Sequence, residues 1–378
     1  MTANMQEVMS NHTSTADRDL VLSGVASARV SLGGREYINF AGSGYLALGR
    51  LPELREAALN ALTSRTAFSC QLPSVYGVVD EAIRSLEQGA AKYCGTEEAV
   101  YAASGYFIGA AALASIETND AVLFIDDTAH FSLLDAARLS TRPVVPFRHA
   151  DADSLAEAIR AELRPGTRPI VLTDGAFATT GRVPPLDQYA AVVANYDGQL
   201  VVDEAHSFGV LGNHGRGAAD YHGVEGVATI GGTLSKAFCA QGAIIPCTAR
   251  SADHIRRVPP LRAANAGSPI SAAVGAAAIR YMHAHPERRE RLSELTGYLR
   301  SKLNAMGFDV GDSPAPIIAL RIGDRDFMEG LQRRLFEMGL YVLLSNYVGS
   351  AGATIRCAVF ADHTEADLDA LAEPLSKL

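Results

Sequence analysis

Val227-Ala228-Thr229-Ile230-Gly231-Gly232-Thr233-Leu234-Ser235-Lys236-Ala237-Phe238 is an apolar run that breaks into a loop of small residues carrying a lysine. The chain holds four lysines against twenty-nine arginines, and the other three have ordinary settings. Lys92 and Lys302 fall on polar faces of expected helices, and Lys377 is the penultimate residue. A lone amine in such a loop, where neighbours can depress its pKa, suits a Schiff-base nucleophile. Strand-end loops are also common places for polar residues, so the reading depends on what the rest of the chain sets beside it.

Outward from this stretch, short apolar runs alternate with helix-length segments from about Pro52 to Arg250. The runs are 99–102, 121–125, 144–147, 169–173, 199–203, 227–230 and 243–246. Near-continuous apolar strands with helices between most of them predict an α/β fold whose sheet is buried on both faces, mostly parallel and seven-stranded. Such sheets bind ligands beyond the carboxyl ends of their strands. After residue 250, helical patterns at 269–282 and 287–306 lead to strands near 315–322, 340–344 and 354–359, then to an amphipathic helix from about 364. The expected organisation is an N-terminal arm with a short strand at 1–50, a large domain at 51–250 and a smaller α+β domain at 251–378.

Composition narrows the function classes. With 48% apolar and 20% charged residues, the chain suits a soluble globular enzyme. A net charge of −9 without a basic stripe disfavours nucleic acid. Arg288, Arg289 and Arg291 alternate with Glu287 and Glu290, as on a solvated helix face. Five scattered cysteines with no CxxC pair and no metal-ligand spacing point to a reduced, cytoplasmic setting and no metal site. The first eighteen residues are polar, and no stretch is long and apolar enough to span a membrane.

Four features fall at expected strand ends. Ser104-Gly105-Tyr106 opens a helix, where backbone N–H groups can receive a phosphate; a turn glycine is the bland reading. His130 follows the run 122–125 and suits an imidazole lying on an aromatic cofactor, although a helix-capping histidine looks the same. Asp203 ends a strand three residues before His206, so the acid can hold a pyridinium nitrogen and the imidazole a phenolic oxygen. Asp203-Glu204-Ala205-His206 also occurs as the metal-binding acid of helicase-type NTPases, but the GxxxxGK[ST] loop that reading needs is missing. Lys236 is flanked by the hydroxyls of Thr233 and Ser235, suited to phosphate oxygens or a proton relay. Together the four supply each contact that pyridoxal phosphate requires.

With these residues the chain resembles the α-oxoamine synthases of the fold-type-I pyridoxal-phosphate enzymes, from about Asn39 to the C-terminus. The similarity is most specific in Thr173-Asp174-Gly175-Ala176-Phe177, in Asp203 to Gly212, in Gly215-Arg216-Gly217 and in Thr233-Leu234-Ser235-Lys236-Ala237-Phe238. The resemblance implies that Lys236 carries the cofactor, Asp203 pairs its ring nitrogen, His206 contacts the phenolic oxygen and His130 stacks on the ring. It places Gly105, Tyr106 and Thr233 on the phosphate, beside the further cofactor-binding candidates Ser104 and Ser235, and Arg356 on the substrate carboxylate, where a bidentate guanidinium is the natural partner. The implied reaction joins an α-amino acid to an acyl thioester, of coenzyme A or an acyl carrier protein, with loss of CO2, in a homodimer. Aminotransferase, aldolase-type or decarboxylase chemistry on the same scaffold remains the alternative. Arg256, Arg257 and Arg262 are the candidate patch for a carrier protein, with a solvated helix face as the plainer reading.

Several positions depart from that family. No histidine stands near Ile83, the glycine three after the lysine is Cys239, and Phe360 replaces a small residue ahead of Ala361-Asp362-His363. The hydroxyl that reaches the neighbouring subunit's phosphate is absent from Ala264-Asn265-Ala266, where Asn265 is the candidate substitute. These changes predict a divergent member with its own acyl or amino-acid substrate.

Overall fold

A computed structural model describes residues 20–64, 68–70, 76–116, 120–263, 266–345 and 353–378. The chain divides into two compact units, a larger one of residues 50–177 and 182–287 and a smaller one of residues 1–49, 178–181 and 288–378.

The larger unit is built on seven strands: β1 (Glu98–Ala102), β2 (Ala121–Asp126), β3 (Val144–Phe147), β4 (Arg168–Asp174), β5 (Gln199–Asp203), β6 (Ala228–Thr233) and β7 (Ala243–Cys247). Their order is β1-β7-β6-β5-β4-β2-β3. β7 runs antiparallel to both neighbours and the remaining pairs are parallel. All six residues of β2 are buried, as expected of a strand covered by helices on both faces. Register aligns the carboxyl ends: Asp174 lies opposite Asp203, and Asp203 opposite Gly231. A row of acids and glycines is thereby brought to one edge of the sheet.

The expected boundary at 250 differs from this division, because helix Pro269–Ala284 packs within the larger unit against helices Glu81–Cys94 and Pro52–Thr63. Ala272, Gly275, Ala276 and Ala278 form its buried small face. A Cβ on Gly275 would sit 3.1 Å from Leu234 Cδ1, so the small residues set how closely the helix approaches the Lys236 loop.

In the smaller unit, strands Arg29–Leu32 and Arg35–Asn39 form a hairpin turned by Gly33 and Gly34, whose φ values of 56° and 82° suit a tight mirror-image turn. Residues 22–23 add a further strand, so the expected arm contributes to a sheet from Leu22 onward. The strand expected at 340–344 serves two sheets. Leu340–Tyr341 pairs in parallel with Ile38–Asn39, whereas Leu343–Ser345 pairs antiparallel with Thr354–Ala358. Between them the Val342 carbonyl accepts from Gln332 Nε2 at 3.2 Å, outside either ladder. Arg288, expected on a solvated face, donates to the carbonyls of Leu46 and Ala47. Residues 178–181 group here because Gly181 packs against Ile317, whose carbonyl would lie 2.3 Å from a Cβ at that position.

The smaller unit's core contains His363, 2% exposed, stacked on Phe40 at 4.8 Å and accepting the Phe360 N–H through Nδ1 at 3.0 Å. Burial pushes its pKa down from 6.5 to about 4. The neutral ring is thus favoured in the fold, so its contribution is complete above pH 6.5 and lost as pH falls through about 4. The loss amounts to about 3 kcal/mol. His363→Asn, which keeps an acceptor for Phe360, is expected to flatten the dependence of the denaturant midpoint on pH between these limits. An unchanged slope would place the acid sensitivity elsewhere.

Candidate active site

The site forms where β1, β2, β4, β5 and β6 end in the larger unit. Asp203, 3% exposed at the end of β5, accepts the Ala205 N–H through Oδ1 at 3.0 Å and the Ser132 hydroxyl through Oδ2 at 3.4 Å. Burial pushes its carboxyl up, while the charges of Lys236 and His130 pull it back. Asp174, its neighbour on β4, is pushed well above the carboxylate range by burial and by Asp203's charge. Two acids side by side away from water resist double ionisation.

His130 caps helix Phe131–Leu139: its Nδ1 accepts the Ser132 N–H at 3.2 Å and lies 2.7 Å from Ser132 Oγ. Its own N–H donates to Asp174 Oδ2 at 2.9 Å. The ring meets Tyr106 edge-on with centroids 6.4 Å apart. Burial lowers its pKa, Asp203 opposing and Lys236 reinforcing the effect. The charges of His130, Asp203 and Lys236 therefore act on one another. His206 lies buried beyond Asp203, in the turn closed by Ser207 N–H to Glu204 O at 3.0 Å.

Ser104 accepts the Tyr106 N–H at 3.2 Å and starts the turn Gly105–Phe107, which runs into helix Ile108–Ser115. A Cβ on Gly105 would lie 2.9 Å from Thr233 Oγ1, so glycine lets the ends of β1 and β6 meet. Thr233 Oγ1 is 2.9 Å from Ser235 Oγ, which groups two hydroxyls beside that turn. Tyr106 is 46% exposed, and its hydroxyl donates to Asp135. Lys236 is half-buried in the loop after β6, and the loop returns through Cys239, whose N–H donates to Lys236 O at 3.2 Å. Cys239 holds φ at 52°, a left-handed conformation that glycine adopts freely and cysteine does not. Asn265 lies outside the described residues.

Arg356 belongs to the smaller unit and is 5% exposed. Nε donates to Ala178 O at 2.6 Å, Nη1 to Gly42 O at 2.8 Å and Nη2 to Tyr45 Oη at 3.0 Å. Among the described residues its partners are neutral oxygens and no carboxylate neutralises it, an unusual state for a buried guanidinium. Arg256, by contrast, is spent on the buried Glu87, with both Nη atoms 3.0 Å from its carboxylate oxygens. It is therefore a brace within the larger unit, with much of its charge spent on Glu87.

Three contributors escaped the sequence reading. Asp174 was visible as a strand-end acid but carried no role. Ser132 gave no signal, being one serine after a histidine. Glu204, fully buried, accepts the N–H groups of Ala218 at 2.7 Å and Ala219 at 2.9 Å, and the Ser207 hydroxyl. Burial pushes it up to about 7. Gly175 and Gly217 close on it, since a Cβ at either would lie 2.3 or 2.4 Å from its carboxyl atoms. This accounts for two glycines in the most specific motifs.

A buried carboxyl at the end of a parallel sheet, acted on by the charges of a lysine and an imidazole, makes this the candidate pyridoxal-phosphate site of a fold-type-I architecture. The chain belongs to the aminotransferase class I and II family, whose model matches residues 35–375, and within it to the α-oxoamine synthases. It is 30% identical over 362 residues to an 8-amino-7-oxononanoate synthase of Alkaliphilus oremlandii, covering 95% of this chain and 91% of the relative. A synthase of the same name from Symbiobacterium thermophilum is 31% identical over 345 residues, covering 90% and 88%. Among solved structures, a serine palmitoyltransferase from S. paucimobilis superposes with a TM-score of 0.89 at 23% identity, covering 99% of this chain and 95% of that one. An 8-amino-7-oxononanoate synthase from Francisella tularensis gives 0.77 at 23%, covering 90% and 97%. At such identity the structural likeness establishes the fold.

Proposed function

We propose that the chain condenses an α-amino acid with an acyl thioester, using pyridoxal 5′-phosphate, to give an α-amino ketone, CO2 and a thiol. The observation that carries this reading is the convergence of Lys236, His130 and the buried Asp203, whose charges act on one another at adjoining strand ends. The donor set fits the cofactor: one amine, one buried carboxyl, one imidazole, and a glycine turn against two hydroxyls. When bound, the cofactor supplies an electron sink for the bond broken at the amino acid Cα.

Each residue then has a role. Lys236 would hold the cofactor and would serve as the base for the Cα proton. Asp203 would keep a proton on the ring nitrogen, His130 would face the ring, and His206 would hydrogen-bond the phenolic oxygen. Ser104, Gly105, Tyr106, Thr233 and Ser235 hold the phosphate, and Asn265 is assigned to the phosphate of a second subunit. Arg356 would receive the substrate carboxylate, since among the described residues its hydrogen-bond partners are neutral oxygens. Arg356→Lys is expected to raise KM for the amino acid roughly 10- to 100-fold, through loss of a charge-assisted bidentate contact, with a smaller change in kcat. An unchanged KM would remove Arg356 from the substrate.

Leu59, Leu62, Phe68, Tyr76 and Val78 are large apolar side chains exposed on the larger unit, which supports association with a second copy. Light scattering is expected to give twice the 39.9 kDa of the chain, and a single-chain mass would overturn the homodimer. None of the described cysteines is in a disulfide, and no described helix is long and apolar enough to cross a membrane; a cytoplasmic setting is consistent with both.

The test of the reaction is thiol release from an acyl-CoA or acyl carrier protein in the presence of a panel of amino acids. Thiol is expected only with both substrates present. An amino acid consumed without thioester would replace the condensation with transamination, cleavage or simple decarboxylation.

A further inference from the structure

Ser132 is 2% exposed and joins two of the groups assigned above. Its hydroxyl lies 2.7 Å from His130 Nδ1 and donates to Asp203 Oδ2 at 3.4 Å. A serine hydroxyl has one proton and here two acceptors, the imidazole nitrogen and the carboxylate. An ionised Asp203 draws that proton through a charge-assisted bond, and Oγ then offers a lone pair to a protonated Nδ1. When the charge on Asp203 is neutralised, the hydroxyl is released to turn toward an unprotonated Nδ1, where the Ser132 N–H already donates at 3.2 Å. The rotation of one buried hydroxyl thus has two settings, each matched to one charge state of its neighbours.

We propose that Ser132 is a positioning residue that couples the charge on Asp203 to the protonation of the His130 ring. The inference rests on the reading that Asp203 and His130 flank the cofactor, and it deepens that reading. It gives a route by which the carboxylate facing the ring nitrogen sets the form of the imidazole facing the ring. The other groups acting on His130 are fixed contributors. Lys236 acts through its charge, Asp174 holds the His130 N–H at 2.9 Å and is itself acted on by Asp126, and Tyr106 meets the ring edge-on. Ser132 hydrogen-bonds both partners directly.

The experiment is histidine-labelled NMR of the protein without cofactor, following the titration midpoint and tautomer of His130. Ser132→Ala, which keeps the backbone N–H, is expected to lower the midpoint by roughly 0.5–1 pH unit, and Ser132→Thr to restore it. Asp203→Asn is expected to lower the midpoint in the Ser132 protein and to lower it less in Ser132→Ala. In the holoenzyme, Ser132→Ala is expected to shift the pH midpoint of the visible cofactor band while the melting temperature changes little. Equal effects of Asp203→Asn in both backgrounds, or a His130 midpoint unmoved by Ser132→Ala, would overturn the coupling. Absence of any cofactor band in the wild-type protein would instead sink the functional reading, and the apoprotein titration would still decide the role of Ser132.

Discussion

Lys236→Ala is expected to abolish turnover, with a loss of about 10^3–10^4-fold or more, because the substitution removes both the attachment point and the base that takes the Cα proton. The fold should survive. Lys236 is half-buried in a loop, and its neighbours Leu234, Ala237 and Phe238, which anchor that loop in the core, are untouched. Steady-state rates beside a thermal melt separate the two effects. Lost activity with a retained melting transition is the expected pair, and activity within tenfold of wild type would remove Lys236 from the chemistry.

Asp203→Asn is the second large effect and carries an opposite sign for stability. A neutral amide cannot hold a proton on the ring nitrogen through charge, and kcat should fall by about 10^2–10^3-fold, the range seen when one preorganised electrostatic contact is removed. The carboxyl itself is costly to the fold. Its pKa is raised by burial, so the protonated acid is favoured in the native state. The associated stability is therefore present below the ordinary value of 3.8 and lost as pH rises through the native value. At neutral pH the apoprotein of Asp203→Asn should melt at or above wild type while catalysing far less, the mark of a residue kept for function at the expense of stability. A variant less stable than wild type at pH 7 to 8 would show that Asp203 is a structural anion.

The larger unit was legible because its physics is simple. A parallel strand covered on both faces leaves an unbroken apolar run, and each of the seven runs corresponds to a strand of the central sheet. The smaller unit was less so. Residues 340–344 look like one strand, and nothing in their letters shows that Val342 leaves the ladder to meet Gln332. The small face of helix Pro269–Ala284 announces close packing but not the partner, which is why the boundary expected at 250 lies at 287 in the compact division.

The site shows the same contrast. Asp203 ends a strand and His130 and Lys236 stand a few residues past one, so position along the chain pointed to one end of the sheet, and their charges act on one another. Ser132 makes two hydrogen bonds, one of them from its helix to the acid that ends β5, and such a contact has no sequence period. Arg256 looked like one of three exposed cations, yet the buried Glu87 claims it. Cys239 shows the converse. A departure noticed as a letter acquires a physical meaning once its φ of 52° is known, because the backbone still adopts the turn that glycine would favour.

The most direct test is hydride reduction of the holoenzyme followed by peptide mass mapping. The chain offers only Lys92, Lys236, Lys302 and Lys377 as side-chain amines, so the assignment is decisive. The expected result is a pyridoxyl phosphate adduct on the peptide containing Lys236 and on no other. An adduct on Lys92, Lys302 or Lys377, or none after saturation with the cofactor, would contradict the account.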